Sequence, residues 1–313
     1  MTKVDRARKT LVLGTALWGW GLEEQEAYRL LDAFVEQGGR LIDTATNYPI
    51  NKCPSNFGLA IRWIEHWLNV NGHSELSVIA KIGAVDNTGT PNCDLSPANI
   101  SATGSELRER LGNALYCLSV HWDNRGGDAQ DVKAIEQTLT AMLALQHQGL
   151  ELGLSGIKHP QLYRDCCPAM AANWLIQVKE NVVTRAARAT YTAAFPDARY
   201  LAYGINLGGI KNTPATETGS AELRNIVHPS ALINTLSAFL EADHGLDPRP
   251  ATMNELALAF TYANPALCGA IIGPRNTEQL THTMTYWASL NQRFDAPTHR
   301  ACLSALSAQL ENH

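Results

Sequence analysis

Leu11-Val12-Leu13-Gly14-Thr15-Ala16-Leu17-Trp18-Gly19 decides the fold. An apolar run enters this stretch, and a Gly-Thr turn leaves it where a doubly wound dinucleotide-binding sheet would carry G-x-G-x-x-G. Runs rich in Val, Ile, Leu and Tyr recur along the chain at 10–18, 40–46, 77–84, 115–123, 150–156, 174–181, 199–207 and 268–274, giving eight strand candidates. Segments of helical period lie between them. In 23–37, Ala27, Leu30, Leu31 and Phe34 mark one apolar face and Gly38-Gly39 closes the end; comparable stretches are 57–68, 100–111, 129–148, 230–242 and 253–263. Near-continuous apolar strands, each followed by a helix, imply parallel strands buried on both faces. Eight such units make an α/β fold of the closed (β/α)8 TIM barrel kind. They use the chain from Thr10 to about Leu290, so 1–313 reads as a single domain, with a tail helix at about 295–313 across the outside or the mouth of the barrel. The long irregular stretch 208–229 after the seventh strand reads as a cover over a bound ligand.

The 313 residues are 45% hydrophobic and 18% charged, with 23 Gly and 14 Pro spread along the chain, which excludes disordered and fibrous classes. Thirty acidic against 25 basic residues leave a net charge of -5 and no general positive field for nucleic acid. The longest apolar runs, 11–20 and 268–272, fall far short of the roughly 20 residues a bilayer requires, so no membrane span is expected. Lys3, Arg6, Arg8 and Lys9 ahead of an apolar run imitate a secretory signal, but Asp5, two glycines inside the run and the lack of a small-x-small cleavage site favour a first strand. Seven cysteines without C-x-x-C suit reduced thiols and a cytoplasmic location. Ten histidines show no H-E-x-x-H and no cluster at ligand spacing, so no metal is assigned.

In such a barrel the reactive groups sit at the C-terminal ends of the strands. The second strand ends Leu41-Ile42-Asp43-Thr44-Ala45 with Tyr48 just beyond, the third ends Val78-Ile79-Ala80-Lys81, and the fourth ends Leu118-Ser119-Val120-His121. An isolated tyrosine holds its proton up to a pH of about 10. A neighbouring ammonium favours the phenolate, and a carboxylate keeps that ammonium charged and aimed. A histidine close by can orient a carbonyl oxygen, so the set suits carbonyl reduction. Taken singly, Asp43 is also a structural carboxylate, Tyr48 a loop residue, Lys81 a snorkelling lysine and His121 a core histidine beside Trp122. Four together at matching strand ends require a common cause, because charge beside a core is costly. Lys81 alone also admits a Schiff-base isomerase or lyase.

Leu13-Gly14-Thr15 with Trp18-Gly19, Asp43-Thr44-Ala45-x-x-Tyr48, Lys81 and His121-Trp122-Asp123 together resemble the motifs of the aldo-keto reductases. The resemblance implies Tyr48 as proton donor, Lys81 and Asp43 as its tuning pair, and His121 as the group orienting a small-molecule carbonyl substrate. It also implies an extended NADPH in the barrel mouth, held without a Rossmann domain by Gly14, Thr15, Ser155, Gln177, Tyr203, Leu207, Gly209, Gly273, Arg275, Gln279 and Thr283. In that scheme Ser155 and Gln177 meet the carboxamide, and Tyr203 stacks on the nicotinamide ring and so fixes the hydride's direction. Ile271-Ile272-Gly273-Pro274-Arg275-Asn276-Thr277 resembles the adenosine-phosphate segment, a strand turning into an anion-favouring helix N-terminus. Arg275 can fork onto a 2′-phosphate, hence NADPH in preference to NADH. Without the resemblance, Tyr203 is equally a core aromatic and Arg275 a solvated surface residue.

Trp18, Trp20 and Trp122 are candidate walls of the substrate pocket, with Cys53 and Asn56 near its edge. Three departures from the family pattern stand out. Pro49 to Gly58 follows Tyr48 where Gly and a helix-starting Glu are usual, Gly156 follows Ser155 where Asn is usual, and Tyr203-Gly204-Ile205 lacks Ser-Pro. The altered loops after the second and seventh strands motivate a second reading, a cofactor-binding regulatory or assembly subunit with little turnover, like the channel β-subunits of that family. Either form is expected as a monomer or weak homo-oligomer.

Overall fold

The structure is a computed structural model that describes residues 9–72, 75–168, 173–210 and 226–310. Its strands are β1 (Thr10–Gly14), β2 (Leu41–Ala45), β3 (Ser77–Ile82), β4 (Leu115–Val120), β5 (Glu151–Ser155), β6 (Leu175–Lys179), β7 (Arg199–Tyr203) and β8 (Leu267–Ile272). They pair in parallel in sequence order, and β8 closes on β1 with Thr10 opposite Gly269 and Leu13 opposite Ile272. The fold is the (β/α)8 barrel that the alternation implies.

The outer ring holds α1 (Glu24–Glu36), α2 (Leu59–Asn71), α3 (Pro97–Leu111), α4 (Ala129–His147), α5 (Pro160–Cys166), α6 (Ala186–Ala194), α7 (Ser230–Glu241), α8 (Met253–Ala263), α9 (Thr277–Arg293) and α10 (Ala296–Leu310). Ala27, Leu30, Leu31 and Phe34 are the buried face of α1, as their spacing requires. Side-chain caps set several helix starts: Ser96 accepts from Asn99 N–H, Asp128 from Asp131 N–H and Thr252 from Glu255 N–H. The periodic pattern did not mark α5 and α6, because seven and nine residues are too few turns to repeat an apolar face. Helix α10 occupies the expected tail and lies on the outside, against α7 and α8, with Arg300 Nε donating to the Ala263 carbonyl at 3.1 Å.

Two apolar layers build the core. Val12, Leu41, Ile79, Cys117, Leu175, Leu201 and Cys268 form one cluster inside the barrel, and the larger cluster joins the outward strand residues to the helices. Gly153 of β5 adds no side chain to the inner layer; a Cβ there would stand 2.5 Å from the Leu175 carbonyl oxygen. The first strand stops at Gly14, short of Trp18, because the Trp18 N–H turns back onto the Thr15 carbonyl.

Lys3, Arg6 and Arg8 of the basic lead, residues 211–225 of the expected cover and residues 311–313 of the tail lie outside the described residues. Among the described residues no helix is long and apolar enough to cross a membrane, and no group of three His, Cys, Asp or Glu is placed to hold a metal. No disulfide joins the seven cysteines.

Candidate active site

Strand residues two apart share a face. One step beyond the inner apolar layer the same face carries Asp43 after Leu41, Lys81 after Ile79, Ser119 after Cys117, Ser155 after Gly153, Gln177 after Leu175 and Tyr203 after Leu201. The barrel is thus apolar at mid-height and polar toward the C-terminal ends of its strands. Ser155 and Gln177 are register partners across β5 and β6.

Lys81 Nζ donates to Asp43 Oδ2 at 2.5 Å, with both side chains under 5% exposed. Gln177 Nε2 donates to the other oxygen, Oδ1, at 2.6 Å. Tyr48 is brought in by a turn in which its N–H meets the Ala45 carbonyl at 3.1 Å. Lys81 hydrogen-bonds Tyr48 as well, and its nitrogen lies 4.9 Å from the centre of that ring. The Tyr48 ring meets His121 edge-on with centroids 5.5 Å apart, and His121 lies 4.3 Å from the Trp122 ring. Asp43, Tyr48, Lys81 and His121 therefore form one contact group.

Burial works against charge on Lys81, but Asp43 and Tyr48 outweigh it and raise its pKa above the ordinary lysine value. His121 goes the other way: burial first, and then the Lys81 charge, push it well below the usual histidine range. It is a neutral imidazole at neutral pH, and its Nδ1 is buried without a hydrogen-bond partner. Below about pH 6.5 the unfolded chain takes up a proton that the folded site refuses, so stability present above that pH is lost as the pH falls. Urea midpoints should fall between about pH 7 and pH 5.5, with a contribution approaching about 1.4 kcal/mol per pH unit from His121. His121→Asn should flatten that slope; an unchanged slope would assign the loss to other groups.

The other expected site residues have these places. A Cβ on Gly14 would stand 2.8 Å from Ile271 Cγ2, so β1 and β8 leave no room for a side chain there. Thr15 is wholly buried, its hydroxyl bonded to the Asp43 carbonyl at 3.1 Å and to Thr44 Oγ1 at 2.9 Å, which pins the end of β2. Tyr203 is half-buried; burial and then Tyr48 raise its pKa. Leu207 has φ +54°, a strained left-handed position for a residue with a Cβ, and Gly208 and Gly209 continue the turn at +81° and +98°. Gly273 is open, with nothing within 4 Å of a Cβ.

At the start of α9, Asn276 caps the Gln279 N–H at 2.9 Å and Gln279 Oε1 accepts the Arg275 N–H at 3.0 Å. The Arg275 guanidinium reaches the Gly21 carbonyl at 3.1 Å. Thr283 is buried away from that end: its hydroxyl accepts from Asn254, which accepts from Asn206, tying α9 to the turn after β7. Of the three tryptophans, Trp18 is 1% exposed and belongs to the core, whereas Trp20 and Trp122 are half-buried. Cys53 is exposed and Asn56 half-buried.

The departures noted in the sequence have local causes or consequences. Gly156 has φ +57°, and a Cβ there would stand 2.9 Å from the His121 carbonyl oxygen and 3.0 Å from Trp122 Cβ. A larger residue would press on the pair that flanks Tyr48. The loop after Tyr48 is stitched to that after β3: Asn47 donates to the Asp86 carbonyl, Asn87 to the Cys53 carbonyl, and the Lys52 N–H to the Asn87 carbonyl. Asn51 ties the same loop to the Gly19 carbonyl. A second lock holds His121-Trp122-Asp123, where Asp123 accepts from Tyr163 at 2.6 Å and pairs with Arg125 at 2.7 Å. Asparagines clustered in two loops were the available signal for the first; the partner of Asp123 on α5 had none.

A closed barrel thus carries an ion pair, a tyrosine and a neutral imidazole at the C-terminal ends of its strands, groups that can hold and move a proton. The model of the aldo/keto reductase family matches residues 10–296, and the chain belongs to that family. It is similar to the protein tas of Escherichia coli (strain K12), 33% identical over 122 residues, 37% of this chain and 35% of that protein. The match thus spans about a third of that relative. An uncharacterized oxidoreductase YrpG of Bacillus subtilis (strain 168) is 24% identical over 295 residues, 88% of this chain and 86% of its own. Among solved structures, the holo form of an aldo-keto reductase from Bacillus halodurans superposes with a TM-score of 0.70 at 20% identity, covering 95% of this chain and 91% of that one.

Proposed function

We propose that the chain reduces an aldehyde or ketone to an alcohol, with Tyr48 as the proton donor and NADPH preferred to NADH. The observation that carries this reading is Lys81, hydrogen-bonded to both Asp43 and Tyr48 beside a neutral His121. When bound, the nicotinamide supplies the hydride. Tyr48 gives its proton to the carbonyl oxygen, and Lys81 stabilises the charge left on the phenolate. A neutral His121 donates one hydrogen bond to the same oxygen and orients it without competing as an acid. Lys81 is held charged, so it is a poor amine for the Schiff-base alternative.

The residues present fit the cofactor. Ser155 and Gln177 would hold the carboxamide as register partners, Tyr203 offers its ring, and the left-handed turn at Leu207 and Gly209, closed by their own N–H bonds to Gly204 and Asn206, would border the cofactor. The space at Gly273, the start of α9, Gln279 and Arg275 would take the phosphate end. Gly14 lets β8 close on β1, and Thr15 and Thr283 act through the elements they tie. Trp20 and Trp122 would wall the substrate. The reading takes 1–313 as one domain working in the cytoplasm, as a monomer or weak homo-oligomer.

The test is cofactor consumption with NADPH and with NADH against aldehydes, α-diketones and sugars. Turnover with NADPH on at least one is expected, and Arg275→Ala should raise the KM for NADPH about tenfold while leaving that for NADH alone. Tight NADPH binding with no oxidation across the panel would favour the regulatory subunit, and equal effects of Arg275→Ala on both cofactors would remove the 2′-phosphate assignment.

A further inference from the structure

We infer that Gln177 is a positioning residue that sets the proton affinity of Tyr48 through Asp43. The inference rests on the reading of Tyr48 as proton donor. Gln177 and Asp43 lie 134 residues apart, on β6 and β2, strands on opposite sides of an eight-strand ring, and their side chains meet across the interior at 2.6 Å. Both are buried, at 2% and 3% exposure, so water does little to screen the contact.

Asp43 is thereby satisfied on both oxygens, Oδ2 by Lys81 and Oδ1 by Gln177. Lys81 divides its ammonium between two acceptors, Asp43 and Tyr48. Whatever offsets the charge of Asp43 releases more of that ammonium to Tyr48. The Gln177 N–H does this from the far side of the carboxylate. Without it, Asp43 draws Lys81 more strongly and its own charge is felt more fully at Tyr48, and both effects hold the proton on the phenol. The same amide keeps a second N–H and a carbonyl oxygen, so the group that would meet a carboxamide is also the one that buffers Asp43.

Isotope-labelled tyrosine NMR on the cofactor-free protein reads this directly, with the Tyr48 signal assigned by its loss in Tyr48→Phe. Gln177→Met keeps the shape and removes the donor, and should move the Tyr48 titration up by about one pH unit. Gln177→Glu adds a like charge beside Asp43 and should move it at least as far, so either variant decides should the other not fold. The alkaline limb of kcat should move with it, separately from any rise in the KM for NADPH. Titration of Tyr48 unchanged in the folded variants, with only that KM altered, overturns the inference and leaves Gln177 a cofactor contact. Full turnover in Tyr48→Phe overturns the proton-donor reading instead, and the titration still reports whether Gln177 acts on Tyr48.

Discussion

Tyr48→Phe is expected to bind NADPH as the wild type does and to lose at least ~100-fold of turnover, the scale of a missing general acid. The change removes one oxygen and leaves the ring. That ring keeps its edge-on contact with His121 and its place 4.9 Å from Lys81, and Lys81 keeps Asp43 as partner at 2.5 Å. Stability should therefore change by about 1 kcal/mol, the net value of one hydrogen bond, while the proton source disappears. Quenching of tryptophan fluorescence by NADPH measures binding, and single-turnover decay of the cofactor signal measures chemistry. The two should part company. If turnover stays at wild-type rates with every carbonyl tested, Tyr48 is not the donor and the neutral His121 cannot replace it, so a different acid must be sought.

The barrel was legible because its signal is repetitive. Eight apolar runs separated by helical stretches have few other solutions, and strand alternation then places Asp43, Lys81, Ser155, Gln177 and Tyr203 on one inner face. Contacts between strands far apart in the ring were not legible. Nothing near Gln177 in sequence says that its amide reaches Asp43, since that depends on the width of the closed ring and the length of one side chain. Trp18 illustrates the opposite limit: a tryptophan next to a site motif reads as a pocket wall, but the turn from Thr15 directs it into the core. Gly156 stands in the sequence only as a departure from the usual Asn; in the fold a left-handed backbone and the His121 carbonyl leave no room for more.

Lys81→Met should cost about 3–5 kcal/mol of stability, the range for breaking one side of a buried ion pair. It leaves the Asp43 carboxylate, 3% exposed, with only the Gln177 N–H to answer its charge. The double change of Asp43→Leu with Lys81→Met removes both charges, and most of that loss should return, because a buried pair contributes little net stability over an apolar pair of similar volume. Turnover should not return: Tyr48 then has no ammonium beside it, and at least ~100-fold should be missing in both variants. Urea midpoints and turnover measured side by side separate the two roles. A double variant as stable as the wild type but inactive means that the barrel bears the desolvation of Asp43 and Lys81 for the sake of Tyr48. A single Lys81→Met that costs under about 1 kcal/mol would mean that solvent reaches Asp43, and the buried-pair account of the site would fall with it.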